Sequence, residues 1–336
     1  MLNFLISSEE DNQTIISFIK RRFKTTPISL IYKLFRIKKI QINQQNCRYY
    51  HYRLKEGDKI TIKDKWLQTS LLSNSLPLLP DLSISVTYED QNVLLVIKEH
   101  NQEIYKPNDR NCLDNQVQYY LYQQDPEKYQ EQRGRFFVPV ALHRLDKLTR
   151  GLVIYSKNAR AKKIIYNSIH NKNKITKSYL AICENYQRIS IPSFIKGWIS
   201  KDELNQKMKF SYQRPVDHSK HCTLTVQKLF QQGIYQLYKV TLETGRKHQI
   251  RAIFSFFQLP IIGDWKYGSK IKVDNKIYLF AYQLAFDDLS SPLGYLNGKT
   301  FQMENLEKEL TLLIKSWVKN KKPRTTCKIL LNNATK

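Results

Sequence analysis

The chain of 336 residues has the length of two domains at roughly 100–200 residues per domain, and its 41% hydrophobic residues exclude an intrinsically disordered protein. Lys and Arg total 55 against 29 for Asp and Glu, a formal net charge of +26, so the protein should attract a polyanion, either nucleic acid or an anionic membrane. Because no apolar run approaches the roughly 20 residues that span a bilayer, we expect a cytoplasmic protein that binds nucleic acid and has no membrane partner.

Residues 10–65 are predicted to form a small α+β domain. The start of the chain places three acidic residues directly after a short apolar patch, which is not typical of a signal peptide. Apolar residues at helical spacing predict two short helices, over 14–23 and 28–37, with a turn between them. A short strand is expected over 40–43, and a turn into a closing strand over 54–62.

Four cations cluster at the end of the second predicted helix, at Lys33, Arg36, Lys38 and Lys39. In a chain this basic, the cluster predicts a face that contacts RNA, with an ordinary solvated surface as the alternative. The order of the elements and the stretch 29–62 resemble the small RNA-binding domain named after ribosomal small-subunit protein four. The glycine usual in the turn after the asparagine is absent, and Gln44 and Gln45 stand in its place.

Residues 66–85 are rich in Leu, Ser and Pro without a clear period, and we interpret them as a linker. A second, larger domain is predicted over 86–318. It begins with a buried strand at 93–98 and ends with an amphipathic helix over 303–318, with strands and helices alternating between them. Residues 319–336 are expected to form a polar, basic tail.

The cysteines and histidines do not predict a metal site. The five cysteines are scattered and include no C-x-x-C pair, which argues against a disulfide framework and a cysteine zinc site. His218, His221 and Cys222 could supply metal ligands, but no second cluster completes four-coordination. We therefore interpret this stretch as a solvated loop.

The segment HRLDKLTRGL, residues 143–152, is the strongest candidate for chemistry. It lies between two predicted strands, over 136–142 and 152–155, so the connection should present polar side chains. Asp146 lies there among three cations, which favour the ionised form of a carboxylate. Such an aspartate can act as a nucleophile or a base, or it can merely cap a turn or form an ion pair.

A second candidate segment is TGRKHQIR, residues 244–251. It follows an alternating strand and precedes a helix with an apolar face, so it lies at a helix N-terminus. Free backbone N–H groups and the helix dipole favour an anion there, and two arginines and a lysine add positive charge. The anion could be a phosphate of RNA or the carboxylate of Asp146; the alternative is a basic helix start that faces water.

A third segment, KSYLA at residues 177–181, has the composition of a strand. A tyrosine with a free ring face can stack on a base that has left its helix. The chain has 21 tyrosines, so Tyr179 taken alone is better explained as an ordinary core or surface residue.

Together these segments resemble the RluA-type family of ribosomal large-subunit pseudouridine synthases. The family's HRLD-x-x-T-S-G-L, K-x-Y and T-G-R-x-H-Q-I/L-R motifs match in order, and PIIGDWKYG at 260–268 fits its next segment. The resemblance covers nearly the whole chain, and one branch of the family carries a small N-terminal domain. It implies an α+β fold with a mixed, mainly antiparallel sheet and a central cleft, and isomerisation of uridine to pseudouridine in RNA, with large-subunit ribosomal RNA favoured over transfer RNA.

The resemblance also implies roles for matching positions. Asp146 would be the nucleophilic aspartate, and Arg251 would pair with it and hold it in place. Tyr179 would stack on the target uracil, and Ile250 would pack near that base. Three cations are expected to bind substrate, namely Arg144, Arg246 and Lys247. The family uses no metal and no cofactor, and the residues leave open whether Asp146 attacks the ribose or removes a ribose proton.

The chain departs from the family's pattern at four places. Glu99 stands where proline is usual, Arg150 replaces a serine, 252–253 read Ala-Ile where Val-His is common, and Phe280 replaces a histidine. None of these positions carries an implied catalytic role. They bear on the geometry of the loop around Asp146 and on the choice of target.

Two other functions stay open. The first is a non-catalytic RNA-binding or ribosome-assembly factor derived from such an enzyme, which the departures at Glu99 and Arg150 motivate. The second is a hydrolase that acts on a glycosidic bond, but that chemistry needs two carboxylates that flank the bond, and no partner for Asp146 is evident.

Overall fold

The computed structural model describes residues 1–23, 26–64, 77–107, 109–134, 137–170, 174–216 and 218–320. The chain divides into two compact units. The first unit consists of Met1–Leu79 and Gln118–Val138, and the second consists of Pro80–Val117 and Pro139–Lys336. Most of the predicted linker, and nearly all of the predicted basic tail, lie outside the described residues.

Two helices and a small antiparallel sheet make up the N-terminal part of the first unit. The helices, α1 (Ile15–Arg22) and α2 (Ile28–Arg36), confirm the two that the apolar spacing predicts. The strands are β1 (Leu2–Leu5), β2 (Ile40–Ile42), β3 (Gln45–Asn46) and β4 (Lys59–Ile62). They pair in the order β1, β4, β2, β3, so a strand that precedes the predicted start of the small domain belongs to its sheet.

The core of this unit follows from helix periodicity. Thr14 caps α1 by accepting a backbone N–H of the first turn, and Ile15, Phe18 and Ile19 are fully buried. These residues recur at a spacing that gives the helix one apolar face. Between β2 and β3, Gln44 adopts a left-handed φ of 69°, in the turn where the resembled domain has a glycine.

The second unit is built on a large sheet. Its strands are β5 (Ser85–Glu89), β6 (Val93–Lys98), β7 (Arg150–Ser156), β8 (Ile175–Glu184), β9 (Phe194–Asp202), β10 (Lys207–Ser211), β11 (Lys220–Gln232), β12 (Tyr235–Leu242), β13 (Leu279–Phe286) and β14 (Thr300–Gln302). They pair in the order β10, β9, β11, β12, β8, β13, β7, β6, β5, and β14 pairs with β13. β13 and β7 run parallel while the other pairs are antiparallel, which confirms the predicted mixed, mainly antiparallel sheet.

Five further helices follow β6 among the described residues: α3 (Leu113–Gln124), α4 (Pro126–Gly134), α5 (Ala159–His170), α6 (Gln249–Phe256) and α7 (Leu306–Lys319). α7 confirms the predicted closing helix. Ile165 of α5 and Trp317 of α7 are buried in one cluster with strand residues such as Leu180 and Leu237. No helix in the described part of the chain has both the length and the apolar character to cross a membrane.

The predicted strand over 136–142 is wrong, because the described part of this segment forms only an isolated bridge, between Ala141 and Tyr155. Pro139 has no backbone N–H to donate to a strand ladder. The N–H of Ala141 donates instead to the Asp114 side chain at 3.2 Å. The HRLD segment is therefore preceded by an irregular stretch and followed by a strand.

That following strand, β7, shows why its motif needs a glycine. Gly151 has a φ of 141°, and a Cβ atom at this position would lie 2.3 Å from the carbonyl oxygen of Ala281. The two residues are partners in the parallel pairing of β7 with β13. Any side chain here would push the two strands apart just after the candidate nucleophile.

Candidate active site

A cavity of about 550 Å³ lies in the second unit. Its walls come from the HRLD segment, from β8, and from the TGRKHQIR segment at the start of α6. Seven of the predicted site residues line it: Arg144, Asp146, Tyr179, Arg246, Lys247, Ile250 and Arg251. Segments that are distant in sequence thus contribute to one site.

Asp146 and Arg251 form an ion pair at this cavity. Nη1 of Arg251 donates to Oδ2 of Asp146 at 3.1 Å, although the two residues are 105 positions apart. This confirms the contact predicted from the sequence. The Arg251 side chain is only 5% exposed while that of Asp146 is 22% exposed, so the carboxylate keeps access to the cavity.

A second carboxylate, missed by the sequence analysis, fixes the guanidinium. The carboxylate of Asp264 accepts two hydrogen bonds from Arg251, from Nε at 2.7 Å and from Nη2 at 2.8 Å. This forked pair leaves Nη1 of Arg251 to donate to Asp146. Burial alone would lower the pKa of Arg251. The hydrogen bonds and negative charge of Asp264, together with the charge of Asp146, have the larger effect, so the pKa of Arg251 is raised overall. Asp264 lies in the PIIGDWKYG segment, which matched the family without a role assigned to this residue.

The side chain of Gln249 makes hydrogen bonds that connect the loop before α6 to β11. Its side-chain oxygen accepts the backbone N–H of Arg246 at 3.0 Å and the hydroxyl of Thr244 at 2.9 Å. Its side-chain nitrogen donates to the carbonyl of Thr223 at 3.1 Å. These bonds hold the first turn of α6 against β11, and Arg251 projects from that turn.

Lys98, at the end of β6, anchors the chain just after Asp146. Its side chain is fully buried, and Nζ donates to three carbonyls, of Glu99 at 2.7 Å, Gln102 at 2.8 Å and Lys147 at 2.9 Å. Burial lowers the pKa of Lys98 to about 7, against the opposing charges of Glu99 and Asp146. The ammonium group ties the residue that follows the candidate nucleophile to β6.

Three of the four departures from the family's pattern, at Glu99, Arg150 and Phe280, lie around this anchor. Glu99 and Arg150 contact each other, with Nε of Arg150 donating to Oε2 of Glu99 at 2.8 Å. His100 lies 2.7 Å from the carbonyl oxygen of Leu148 through Nδ1, and its ring packs edge-to-face on Phe280 at 5.4 Å. These contacts lie beside the loop that carries Asp146.

We expect Lys98→Met to lower the free energy of unfolding by about 1–3 kcal/mol. Methionine fills a similar volume but leaves the three carbonyl acceptors without the buried donor that they now share. Urea denaturation measures the change, and Lys201→Met, at a lysine side chain that is 52% exposed, serves as the control. Equal stability of the two variants would contradict the anchoring role.

Tyr179 lies on β8 with its ring at the cavity wall, and it is 7% exposed. Burial and the charge of Asp146 raise its pKa, so the phenol keeps its proton at neutral pH. Lys177, two residues earlier, lines the same cavity because alternate strand residues share a face. Burial lowers the pKa of Lys177. No role for Lys177 was predicted from the sequence, although strand periodicity places it on the same face as Tyr179.

His248 and Tyr267 are two further residues that the sequence analysis missed. His248 precedes α6 and lies with Nε2 3.6 Å from Oδ1 of Asp146. Its Nδ1 lies 2.8 Å from the hydroxyl of Tyr267, whose ring also faces the Arg251 guanidinium at 4.8 Å. Both residues fall inside quoted motifs, yet their contact with the site depends on folding.

The predicted RNA-contacting cations belong to the first unit. Lys33, Arg36, Lys38 and Lys39 are all exposed at the end of α2. They are not among the residues that line the cavity. Their assignment to RNA stays a prediction.

The interpretation of 218–222 as a solvated loop is wrong for its second half. His221 and Cys222 belong to β11, and the Cys222 side chain is fully buried because it faces the interior of the unit. Among the residues that the structure describes, no group of three His, Cys, Asp or Glu side chains could hold a metal ion. Cys327 lies outside those residues.

Comparison with known proteins places this chain in a family. Residues 103–256 match the family described as RNA pseudouridylate synthase. The chain is 36% identical over 300 residues, 89% of its length and 96% of the relative's, to an uncharacterized RNA pseudouridine synthase of Mycoplasma capricolum subsp. capricolum. It is 26% identical over 270 residues, 79% of its length and 80% of the relative's, to ribosomal large subunit pseudouridine synthase C of Buchnera aphidicola subsp. Schizaphis graminum.

The solved structure of human RNA pseudouridylate synthase domain containing 4 shares the fold. Its TM-score is 0.52 at 17% sequence identity, over 69% of this chain and 92% of that one. The sequence match to the Mycoplasma relative extends over nearly the full length of both chains. The motifs, the sheet and this match agree, and the chain belongs to the RNA pseudouridylate synthase family, whose members are isomerases that act on RNA.

Proposed function

We propose that the protein converts specific uridines of structured RNA to pseudouridine, that its substrate is large-subunit ribosomal RNA, and that Asp146 acts on the ribose. The observation that carries this proposal is the ion pair of Asp146 with Arg251 at the wall of a cavity whose size suits a small ligand. The name of the Buchnera relative, a ribosomal large subunit pseudouridine synthase, supports the large ribosomal subunit as the source of the substrate. A cytoplasmic location follows from that substrate.

The reaction needs a base that has left its helix, which costs a few kcal/mol. Stacking on the ring of Tyr179 would return about 1–3 kcal/mol. The N-glycosidic bond then breaks, the uracil turns within the cavity, and a carbon–carbon bond forms to the same ribose carbon. The ring carbon that bonds to the ribose gives up its proton and the released nitrogen gains one, so the product is an isomer and no cofactor is consumed.

The charges at the cavity suit this substrate. Arg144, Arg246 and Lys247 are exposed at its rim, where they can bind the phosphates on either side of the target. Ile250 is buried and presents an apolar side chain to the base. Closure of such a site around uracil would hold the free base against escape.

The geometry argues against Asp264 as the second carboxylate that the hydrolase alternative requires. Asp264, the other carboxylate that binds Arg251, is 1% exposed, and both of its oxygens accept hydrogen bonds from Arg251. It therefore cannot flank a glycosidic bond together with Asp146 as the hydrolase chemistry requires. The non-catalytic alternative is weakened because Glu99 and Arg150 pair with each other and leave the ion pair of Asp146 intact.

The function is tested by mapping pseudouridines in RNA from cells with and without this protein. We expect defined uridines of large-subunit ribosomal RNA to lose the modification, and wild-type protein to restore it. Restoration by Asp146→Asn would remove that residue from the mechanism. Loss confined to transfer RNA would change the substrate class, and an unchanged map would refute the proposal.

We further propose that the N-terminal part of the first unit binds RNA, as the domain that it resembles does. Two helices packed on a small sheet, with four exposed cations at the end of α2, support this role. A protein of net charge +26 already attracts RNA, so this cluster would add local contacts to a general attraction.

Neutralising Lys33, Arg36, Lys38 and Lys39 together should weaken RNA affinity and flatten its dependence on salt. Each lost phosphate contact should lower the slope of log affinity against log salt concentration by roughly 0.7–0.9. A titration series in KCl measures the slope. The control neutralises three exposed lysines of α7, namely Lys308, Lys315 and Lys319. An equal change per charge in both variants would show that the α2 cluster is an ordinary solvated surface.

A further inference from the structure

The side chain of His248 lies between Asp146 and Tyr267, and the backbone of His248 has an unusual conformation. It is the residue before α6, with φ 51° and ψ 24°, a left-handed conformation that is uncommon outside glycine. Its side chain is 13% exposed. Nδ1 lies 2.8 Å from the Tyr267 hydroxyl, and Nε2 lies 3.6 Å from Oδ1 of Asp146.

The donor and acceptor of each contact can be derived by starting from the backbone N–H of Met208, which can only donate, and from the carboxylate of Asp146, which can only accept. The backbone N–H of Met208 donates to the Tyr267 oxygen at 2.9 Å. The acceptor within reach of the Tyr267 O–H, among the contacts described, is Nδ1 of His248. A neutral imidazole that accepts at Nδ1 carries its hydrogen on Nε2. The carboxylate of Asp146 favours the same tautomer, because the opposite one would turn a lone pair toward a negatively charged oxygen.

We propose that His248 and Tyr267 are positioning residues that relay a hydrogen bond from the backbone of β10 to Oδ1 of Asp146, while Arg251 holds Oδ2. The inference rests on the proposed function, since it concerns the residue that acts on the ribose. The hydrogen bond from His248 would be a second restraint on the carboxylate of Asp146. Its donor is neutral, so it adds no positive charge beside the guanidinium of Arg251.

The electrostatics of the site agree with neutral partners in this relay. Burial lowers the pKa of His248 to about 4, although the charge of Asp146 opposes that shift. Burial also raises the pKa of Tyr267 to about 12. At neutral pH the imidazole is therefore uncharged and the phenol keeps its hydrogen.

The separation of 3.6 Å between Nε2 and Oδ1 is longer than a hydrogen bond. Catalytic hydrogen bonds are often long in the free enzyme and shorten when substrate is bound. The relay should therefore act after binding, so its loss should lower kcat and leave KM nearly unchanged.

A comparison of His248→Gln with His248→Asn separates this role from a structural one. The amide nitrogen of glutamine can take the place of Nε2, whereas asparagine reaches only the place of Nδ1. Asparagine tolerates the left-handed conformation better than glutamine does, so a purely structural role predicts that asparagine is the milder change. The relay predicts the reverse: His248→Gln within a few-fold of the wild-type kcat, and His248→Asn lower by roughly 10-fold or more.

Tyr267→Phe should also lower kcat by several-fold, and it should add little to His248→Asn because both changes break one relay. Tyr278→Phe, at a buried core tyrosine that does not line the cavity, is the matched control. A His248→Asn variant at least as active as His248→Gln, or full additivity with Tyr267→Phe, would overturn the proposal.

Nitrogen NMR of the histidines supplies a readout that does not require turnover. We expect a protonated Nε2 and an unprotonated Nδ1 at His248 in the wild type, with this preference weakened in Tyr267→Phe. A protonated Nδ1 in the wild type would refute the relay. A wild-type protein that forms no pseudouridine would refute the proposed function, and the tautomer would still decide the relay.

Discussion

Asp146→Asn should abolish pseudouridine formation while RNA affinity stays within a few-fold of wild type. Asparagine keeps the shape of the side chain, but its amide can serve neither as a nucleophile nor as a base, so we expect a loss of at least about 10²–10⁴-fold in rate. Binding should persist because it depends on the many cations of the chain. Single-turnover assays with saturating enzyme measure the chemical step alone.

The control for this change is Asp274→Asn, at an exposed aspartate that does not line the cavity. It should retain the wild-type rate. An Asp146→Asn protein that forms pseudouridine at a rate near wild type would remove the carboxylate from the mechanism.

Arg251→Lys should reduce the rate by about 100-fold or more with a smaller effect on RNA binding. The guanidinium uses three nitrogen atoms at once, two on Asp264 and one on Asp146. A lysine ammonium retains the charge but cannot match this fork, so the carboxylate of Asp146 would move. A misplacement of roughly 1 Å at a reacting group can cost about 100-fold in rate.

Arg246→Lys is the matched control, because Arg246 is exposed and its Nε makes a bond of 2.9 Å to the carbonyl of His221. It should lose less activity than Arg251→Lys, with its effect mainly on RNA affinity. Because Asp264 is buried and would lose at least one of its two hydrogen bonds from Arg251, the Arg251→Lys protein could also be less stable. Urea denaturation of both variants measures this loss of stability separately from the loss of rate. Normal turnover by Arg251→Lys would show that the fork is dispensable.

Local patterns in the sequence predicted much of the fold. The spacing of Ile15, Phe18 and Ile19 predicts α1 without knowledge of the tertiary structure, because helical periodicity is a short-range property. The strand expected over 136–142 failed partly because of Pro139, which is visible in the sequence, and partly for a long-range reason. The N–H of Ala141 bonds to the side chain of Asp114, a contact between residues 27 positions apart that no local pattern reveals.

The same distinction applies to the site. Asp146 and Arg251 could be predicted because each lies in a motif dense with charged residues and matched to a family. Asp264 could not be assigned, since a lone aspartate in a loop shows no role until the arginine that it holds is in place. The relay role of His248 depends on the hydroxyl of Tyr267, which only the folded chain brings within 2.8 Å.

The contact between Glu99 and Arg150 has a consequence for how this sequence can change over evolutionary time. Each residue departs from the family's usual choice, and Glu99 supplies the charged partner of Arg150. Reversion of Glu99 alone would leave the guanidinium of Arg150, whose side chain is 16% exposed, facing an uncharged neighbour next to the loop that carries Asp146. The two substitutions are therefore epistatic, and descendants of this chain should keep or lose them together.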